Sequence, residues 1–205
     1  MPNPISWSYA APYLLAALVG GFLVGSIPFG LLLTRLAGLG DIRKIGSGNI
    51  GATNVLRTGR KDIAALTLLL DAAKGAAAAL IAGHWGPDMM LAAGMGALLG
   101  HMFPPWLRFR GGKGMATALG VILALNWPVC LATCAAWLAV AGVLRYSSLA
   151  ALLSIAAAPV FSWYIGGDLQ LAQFTAMVAV LIWLRHRTNI VRLLKGEEPR
   201  IGGRK

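Results

Sequence analysis

Tyr9–Leu33, YAAPYLLAALVGGFLVGSIPFGLLL, carries no charged side chain. It exceeds the ~20 apolar residues that one helical crossing of a bilayer needs. The rest of the chain repeats the signal. Hydrophobic residues make up 58 % of the 205 and charged residues 12 %, about half the charged share of a soluble domain. Further apolar runs lie at Ile63–Gly83, Met89–Leu107, Met115–Leu125, Val129–Leu144, Ser147–Ile165 and Leu171–Leu184. The fourth run, Met115–Leu125, is short. It either borrows residues from Gly112–Gly114 or forms a re-entrant hairpin with the fifth, turned at Asn126-Trp127-Pro128. The pattern predicts an all-α integral membrane protein, a seven-transmembrane-helix bundle with five spans as the alternative. One membrane domain, 1–205, is expected.

Charge gives the orientation. With seven spans, every Lys and Arg except Lys74 falls on one face, and the opposite loops hold His84, Asp88 and Asp168. The positive-inside rule makes the basic face cytoplasmic, with the N-terminus outside and the C-terminus inside. Loops 34–62 and 108–114 and the tail 185–205 are then cytoplasmic. The net charge of +11 reads as this topology signal and not as a nucleic-acid footprint. No basic stretch precedes the first apolar run, which argues against a cleaved signal peptide. Cys130 and Cys134, four apart within one span, read as packing residues.

Three polar clusters interrupt the apolar chain, all on the basic face. The first is Gly46-Ser47-Gly48-Asn49-Ile50-Gly51-Ala52-Thr53-Asn54-Val55-Leu56-Arg57. Its glycines leave backbone N–H groups able to converge on an anion, and Ser47, Asn49, Thr53, Asn54 and Arg57 add donors. The second is Gly100–Thr117, which includes His101 and whose core, Gly111-Gly112-Lys113-Gly114, precedes the fourth run. It combines backbone amides, a lysine and a helix N-terminus. The third, Arg185–Leu194, places His186 and Asn189 on one helical face, with Arg192 following. Arg145-Tyr146-Ser147-Ser148 is a smaller fourth element.

Other features have plainer readings. Arg35, Arg60, Lys61, Arg200, Arg204 and Lys205 read as anchors at helix ends. Trp85, Trp106 and Trp163 fit an interfacial belt, and Gly20, Gly21, Gly94 and Gly96 fit close helix packing. Asp71 and Lys74 sit mid-span, three apart. Intramembrane ions are costly, so the two read as a structural ion pair that orients a site. Gly-Gly-Lys-Gly is not a phosphate loop of the nucleotide-binding type: Leu107 stands where that motif has its first glycine, and Gly114 where it has Ser or Thr. No His is followed five residues later by Asp, so the His–Asp pair of thioester-dependent acyltransferases is missing.

The three clusters, with Gly25-Ser26-Ile27-Pro28-Phe29-Gly30, resemble the motifs of the acyl-phosphate-dependent glycerol-3-phosphate acyltransferases of bacteria, the PlsY type. The resemblance runs from about Gly25 to Glu198. It implies transfer of an acyl group from acyl phosphate to the 1-hydroxyl of sn-glycerol 3-phosphate, giving lysophosphatidic acid and phosphate, at the cytoplasmic face of the inner membrane. It implies catalytic roles for Ser47, Arg57, Lys113, His186 and Asn189, and substrate binding by Ser148. Gly46, Gly48, Asn49, Gly51, Thr53, Asn54, His101, Gly111, Gly112, Gly114 and Arg192 are further candidates for phosphate or substrate binding.

The residue types suit such chemistry. Two phosphorylated substrates need two anion subsites. Arg57 can clamp a phosphate bidentately, and Lys113 can act as a point charge. Phosphate is a good leaving group, so positioning and charge stabilisation dominate. The first two clusters contain no carboxylate; Asp41 and Asp62 only flank the first. The general base is therefore His186 or a phosphate oxygen of a substrate. No metal and no cofactor is expected. The expected partners are the bilayer, the two substrates and a soluble acyl-phosphate synthase as a candidate docking protein, with the chain itself a monomer. An organophosphate or anion transporter is the alternative, but its polar sites would lie near the midplane and not on one face.

The orientation is tested by cysteine labelling of intact cells. Cysteines at Asp88 and Asp168 should react with an impermeant reagent from outside, and cysteines at Arg60 and Lys195 should not. External labelling at Lys195 would overturn the assignment.

Overall fold

The computed structural model describes residue 2 and residues 4–202, so the basic Arg204 and Lys205 lie outside the described residues. Among those described there are ten α-helices and no strand. They fall into two compact units, Pro2–Leu125 and Asn126–Lys205.

The first unit contains α1 (Trp7–Gly25), α2 (Phe29–Leu36), the single-turn α3 (Ala52–Val55), α4 (Lys61–Gly83), α5 (Pro87–Met102) and α6 (Met115–Leu125). The first apolar run is thus not one continuous helix. Pro28 lacks an N–H and cannot continue the ladder, so the chain breaks between Gly25 and Phe29. The bared carbonyls need donors where water is scarce. The Trp106 indole N–H donates to the Ser26 carbonyl at 2.7 Å, and the Lys74 ammonium to the Ile27 carbonyl at 2.7 Å. The third run also ends earlier than its hydropathy suggests. It stops at Met102, because Pro104 and Pro105 redirect the chain into a short turn, Pro105–Leu107.

Glycines set the helix contacts in this unit. Gly21 and Gly25 of α1 meet the Ala93 and Ala97 backbone of α5, and Gly96 and Gly100 of α5 meet the Leu18 and Phe22 backbone of α1. Any Cβ at these four positions would enter a backbone carbonyl, so small residues are what permit the approach. Gly120 of α6 meets the Ala72 carbonyl of α4 in the same way. Gly20 departs from the packing expectation, with nothing within 4 Å of the position a Cβ would take.

The second unit contains α7 (Trp127–Leu144), α8 (Ser147–Tyr164), α9 (Leu169–Arg185) and α10 (Arg187–Leu194). Asn126 caps α7, its side-chain oxygen accepting from the Val129 N–H at 3.1 Å. The helix therefore begins before Pro128, which sits harmlessly in its first turn. Asp168 caps α9 by accepting from Gln170 and Leu171 N–H. The tail after α10 is tied back: Ile201 N–H donates to the Arg145 carbonyl at 2.6 Å, and the Arg145 guanidinium to the Ile201 carbonyl at 2.9 Å.

Four stretches are long and apolar enough to cross a membrane: Trp7–Leu36, Lys61–Gly83, Trp127–Leu144 and Ser147–Tyr164. A fifth is added if α9 and α10, bent by 64°, count as one span. The 16-residue α5 and the 11-residue α6 are shorter than a standard crossing.

Gly25→Ala should lower the detergent melting temperature, because a methyl forced into the Ala97 carbonyl costs about 1–3 kcal/mol. Gly20→Ala should leave it unchanged. Equal effects at the two positions would contradict the packing described.

Candidate functional site

The first polar cluster is a loop built around one buried amide. Asn54 is 2 % exposed. Its Nδ2 donates to the carbonyls of Ile42, Ile45 and Asn49 at 3.1, 2.9 and 2.8 Å, and its Oδ1 accepts from the Ser47 N–H at 3.0 Å. This side chain is committed to the loop and does not face outward. The turn it closes needs left-handed residues at Gly46 (φ 56°) and Gly48 (φ 69°), conformations that glycine adopts without penalty. Ile42, Ile50 and Val55 pin the loop from below with Leu31 and Ala64, and Leu107 packs against the same cluster. Gly30 of α2 lies against the Ile50 carbonyl.

The outer side of the loop is where donors collect. Ser47, Thr53 and Arg57 are exposed. A Cβ at Gly46 would lie 2.9 Å from Arg57 Cδ and 3.1 Å from its Nη1. The Arg57 side chain therefore packs beside Gly46, next in sequence to the exposed Ser47. Gly51 precedes α3, with Asn49 Nδ2 beside it. On the approach to the loop, Asp41 accepts from Arg43 in a two-pronged contact, Nε at 2.9 Å and Nη2 at 2.5 Å. That guanidinium holds the Asp41 carboxyl well below the usual carboxylate range.

The second cluster rests on His101. Gly112 N–H donates to the His101 carbonyl at 3.0 Å, and Gly111 N–H to the Met102 carbonyl at 3.1 Å. The His101 ring is buried directly beneath Gly112, where a Cβ would strike its Nε2. Lys113 follows, half-buried, and Gly114 (φ 88°) leads into α6 with Met102 and Leu98 packed against it. His101 thus lies under the loop and not at its surface.

Asp71 and Lys74 form a buried pair, Nζ to Oδ1 at 2.7 Å. All of these groups belong to the first unit.

The second unit holds the third cluster. His186 ends α9 at the bend into α10, and Asn189 N–H donates to its carbonyl at 2.8 Å. His186 Nδ1 lies 2.8 Å from the Ile182 carbonyl. A carbonyl can only accept, so Nδ1 carries the proton and Nε2 of the neutral ring is the acceptor nitrogen.

Glu198, which the sequence reading passed over, organises the rest. It is 8 % exposed. Its Oε1 accepts from Ser148 Oγ at 2.6 Å and from Asn189 Nδ2 at 2.6 Å, and its Oε2 accepts from Arg192 Nε at 2.7 Å. Ser148, Asn189 and Arg192 are therefore gathered by one carboxylate. Burial alone would raise the Glu198 pKa; the three donors outweigh it and hold the value below the ordinary 4.5. A depressed carboxylate pKa stabilises the fold above the unfolded value. That contribution disappears as pH falls through the folded one. The only sequence signal for it was an acid pair, Glu197-Glu198, in an otherwise basic tail.

Glu198→Gln should cost about 1–3 kcal/mol, since an amide cannot accept from all three donors. The melting-temperature deficit of the variant should be full near neutral pH and shrink as pH drops below the ordinary carboxylate range. A deficit independent of pH would refute the assignment.

The family model described as glycerol-3-phosphate acyltransferase matches residues 15–196. A glycerol-3-phosphate acyltransferase of Rhizobium meliloti (strain 1021) is 57 % identical over 197 residues, 96 % of this chain and 97 % of the relative. One of Paramagnetospirillum magneticum is 58 % identical over 193 residues, 94 % of this chain and 96 % of the relative. A crystal structure of PlsY, described as an integral membrane glycerol 3-phosphate acyltransferase in its glycerol 3-phosphate form, superposes with a TM-score of 0.86 at 39 % identity, covering 92 % of this chain and 95 % of the other. The lysophosphatidic acid form of that protein gives 0.84 at 38 % identity, covering 91 % and 94 %. The chain is thus an all-helical integral membrane protein and belongs to the glycerol-3-phosphate acyltransferase family.

Proposed function

We propose that this acyltransferase takes its acyl group from an acyl phosphate, independently of acyl-CoA, and delivers it to the 1-hydroxyl of sn-glycerol 3-phosphate. The products are lysophosphatidic acid and inorganic phosphate. The reaction occurs at the cytoplasmic face of the inner membrane, in a chain that crosses it seven times with the N-terminus outside. The observation that carries this reading is the first loop: Asn54 closes a glycine turn at which Ser47 is exposed and the Arg57 guanidinium packs beside Gly46. Such a surface recognises a tetrahedral dianion better than a neutral thioester. The glycerol 3-phosphate and lysophosphatidic acid forms of the related PlsY support the same acceptor and product here.

In this mechanism Arg57 clamps a phosphate bidentately and Ser47 donates to it. Gly46, Gly48, Asn49, Gly51 and Thr53 supply the surrounding backbone and side-chain donors, and Asn54 holds their shape. Lys113, with the Gly111–Gly114 backbone, neutralises charge that develops on the leaving phosphate. His186 and Asn189, set by Ser148, Arg192 and Glu198, orient glycerol 3-phosphate. The 1-hydroxyl oxygen bonds to the acyl carbonyl carbon and the bond from that carbon to the phosphate oxygen breaks. The hydroxyl proton passes to a substrate phosphate oxygen, whose second pKa near ~6 suits the role. The His186 ring, an acceptor at Nε2, holds glycerol 3-phosphate through its 2-hydroxyl and takes no part in the proton transfer.

Purified protein in detergent should make lysophosphatidic acid and an equal amount of phosphate from acyl phosphate and glycerol 3-phosphate, and none from acyl-CoA. Arg57→Ala and Lys113→Ala should each lower kcat/KM by about a hundredfold, or ~3 kcal/mol. Arg57→Lys should rescue poorly, because a point charge cannot replace the fork. Comparable turnover with acyl-CoA would overturn the donor assignment.

His186→Asn separates the two candidate bases. If substrate phosphate accepts the proton, the variant should mainly raise KM for glycerol 3-phosphate and keep the wild-type dependence of kcat on pH between 5 and 8. Loss of the limb near pH 6–7 would make His186 the base.

A further inference from the structure

The reaction as written leaves the buried charges of α4 without a task. Asp71 and Lys74 are 3 % and 2 % exposed at their side chains. A pair of ions this deep contributes little stability that well-packed apolar residues would not supply, and in an apolar bundle such ions point to function. Their contacts lead in two directions. Lys74 reaches the broken first span, donating to the Ile27 carbonyl at 2.7 Å and lying 5.6 Å from the Phe29 ring centroid. Asp71 reaches the second loop, because the Oδ1 that accepts from Lys74 also lies 3.6 Å from His101 Nδ1.

His101 is the link. One edge of its ring faces the Asp71 carboxylate and the other lies against the Gly112 backbone. Its own carbonyl accepts from Gly112 N–H. The ring therefore cannot shift without moving Gly112, and Lys113 is the next residue. Gly112 must be a glycine for the contact to exist. A ring seated between a carboxylate and a loop backbone sets the height of that loop.

We propose that Asp71, Lys74 and His101 form a positioning device for the Gly111–Gly114 loop, and that its purpose is to fix the Lys113 amine. These are positioning residues: they act on the substrate through Lys113. The inference rests on the reading of Lys113 as a phosphate ligand, and the test separates the two.

The test is a double-mutant cycle in the purified full-length protein, with kcat and KM measured for acyl phosphate and glycerol 3-phosphate, and the melting temperature recorded for each variant. His101→Leu should lower kcat/KM about thirtyfold, whereas His101→Asn, whose amide nitrogen falls near the position of Nδ1, should recover most of the loss. In a Lys113→Ala background, His101→Leu should cost less than about threefold, because the group it positions is gone. Should His101→Leu not fold, Gly112→Ala probes the same contact from the loop side and should show the same coupling to Lys113. Factors that multiply in full, or losses that track the melting temperature and not the presence of Lys113, would overturn the positioning role alone. Near-normal kinetics in Lys113→Ala would overturn the phosphate role of that residue and this inference with it.

Discussion

A backbone carbonyl inside an apolar bundle has no water to turn to, and the break at Pro28 takes those of Ser26 and Ile27 out of the regular helical ladder. Much of the first unit follows from how they are satisfied. The Ser26 carbonyl takes the indole N–H of Trp106, and the Ile27 carbonyl takes the ammonium of Lys74. A buried ammonium needs a counter-charge, which Asp71 supplies. Trp106 and His101, the residues these contacts reach, both lie in the segment that leads into the second loop. The break also turns α2 so that Gly30 meets the Ile50 carbonyl and seats the first loop. An intact helix through residue 33 would have needed neither the indole nor the buried ion pair.

Both of the best-defined polar clusters are shaped by a side chain that performs no chemistry. In the first, the groups to be gathered are carbonyls, so the organiser is an amide with two N–H donors, Asn54. In the third, the groups to be gathered are a hydroxyl, an amide and a guanidinium. All can donate, so the organiser is a carboxylate, Glu198. The residues proposed to meet substrate are fixed in place by such hydrogen bonds, Asn189 by one N–H to Glu198 and His186 by Nδ1 to the Ile182 carbonyl. That arrangement suits a reaction whose donor is already activated and whose enzyme mainly positions and neutralises charge.

Hydropathy and charge located the helices well, because an apolar run of the right length has few other uses. They misplaced ends where prolines intervene: Pro28 splits the first run and Pro104-Pro105 shorten the third, while Pro128 proved to be inside a helix capped by Asn126. The glycine-rich loops stood out from the apolar chain by composition, and their motifs pointed to the glycerol-3-phosphate acyltransferase family. What the sequence did not separate was surface from scaffold. Asn54, His101 and Arg192 look like ligands in a string of polar residues. Only in three dimensions does Asn54 turn inward, His101 lie beneath Gly112, and Arg192 meet Glu198. Glu198 was hidden by distance, since its Ser148 partner is 50 residues away along the chain.

In the proposed mechanism the first loop is a phosphate receptor whose shape is stored in Asn54. Binding of inorganic phosphate to Asn54→Asp, followed by calorimetry in detergent with helicity checked in parallel, is the decisive measurement. Aspartate keeps an acceptor for the Ser47 N–H but cannot donate to the Ile42, Ile45 and Asn49 carbonyls, and it adds negative charge behind the anion. A helical protein is expected whose Kd for inorganic phosphate rises at least about tenfold, a loss of ~1.4 kcal/mol or more. Wild-type affinity in that variant would contradict it.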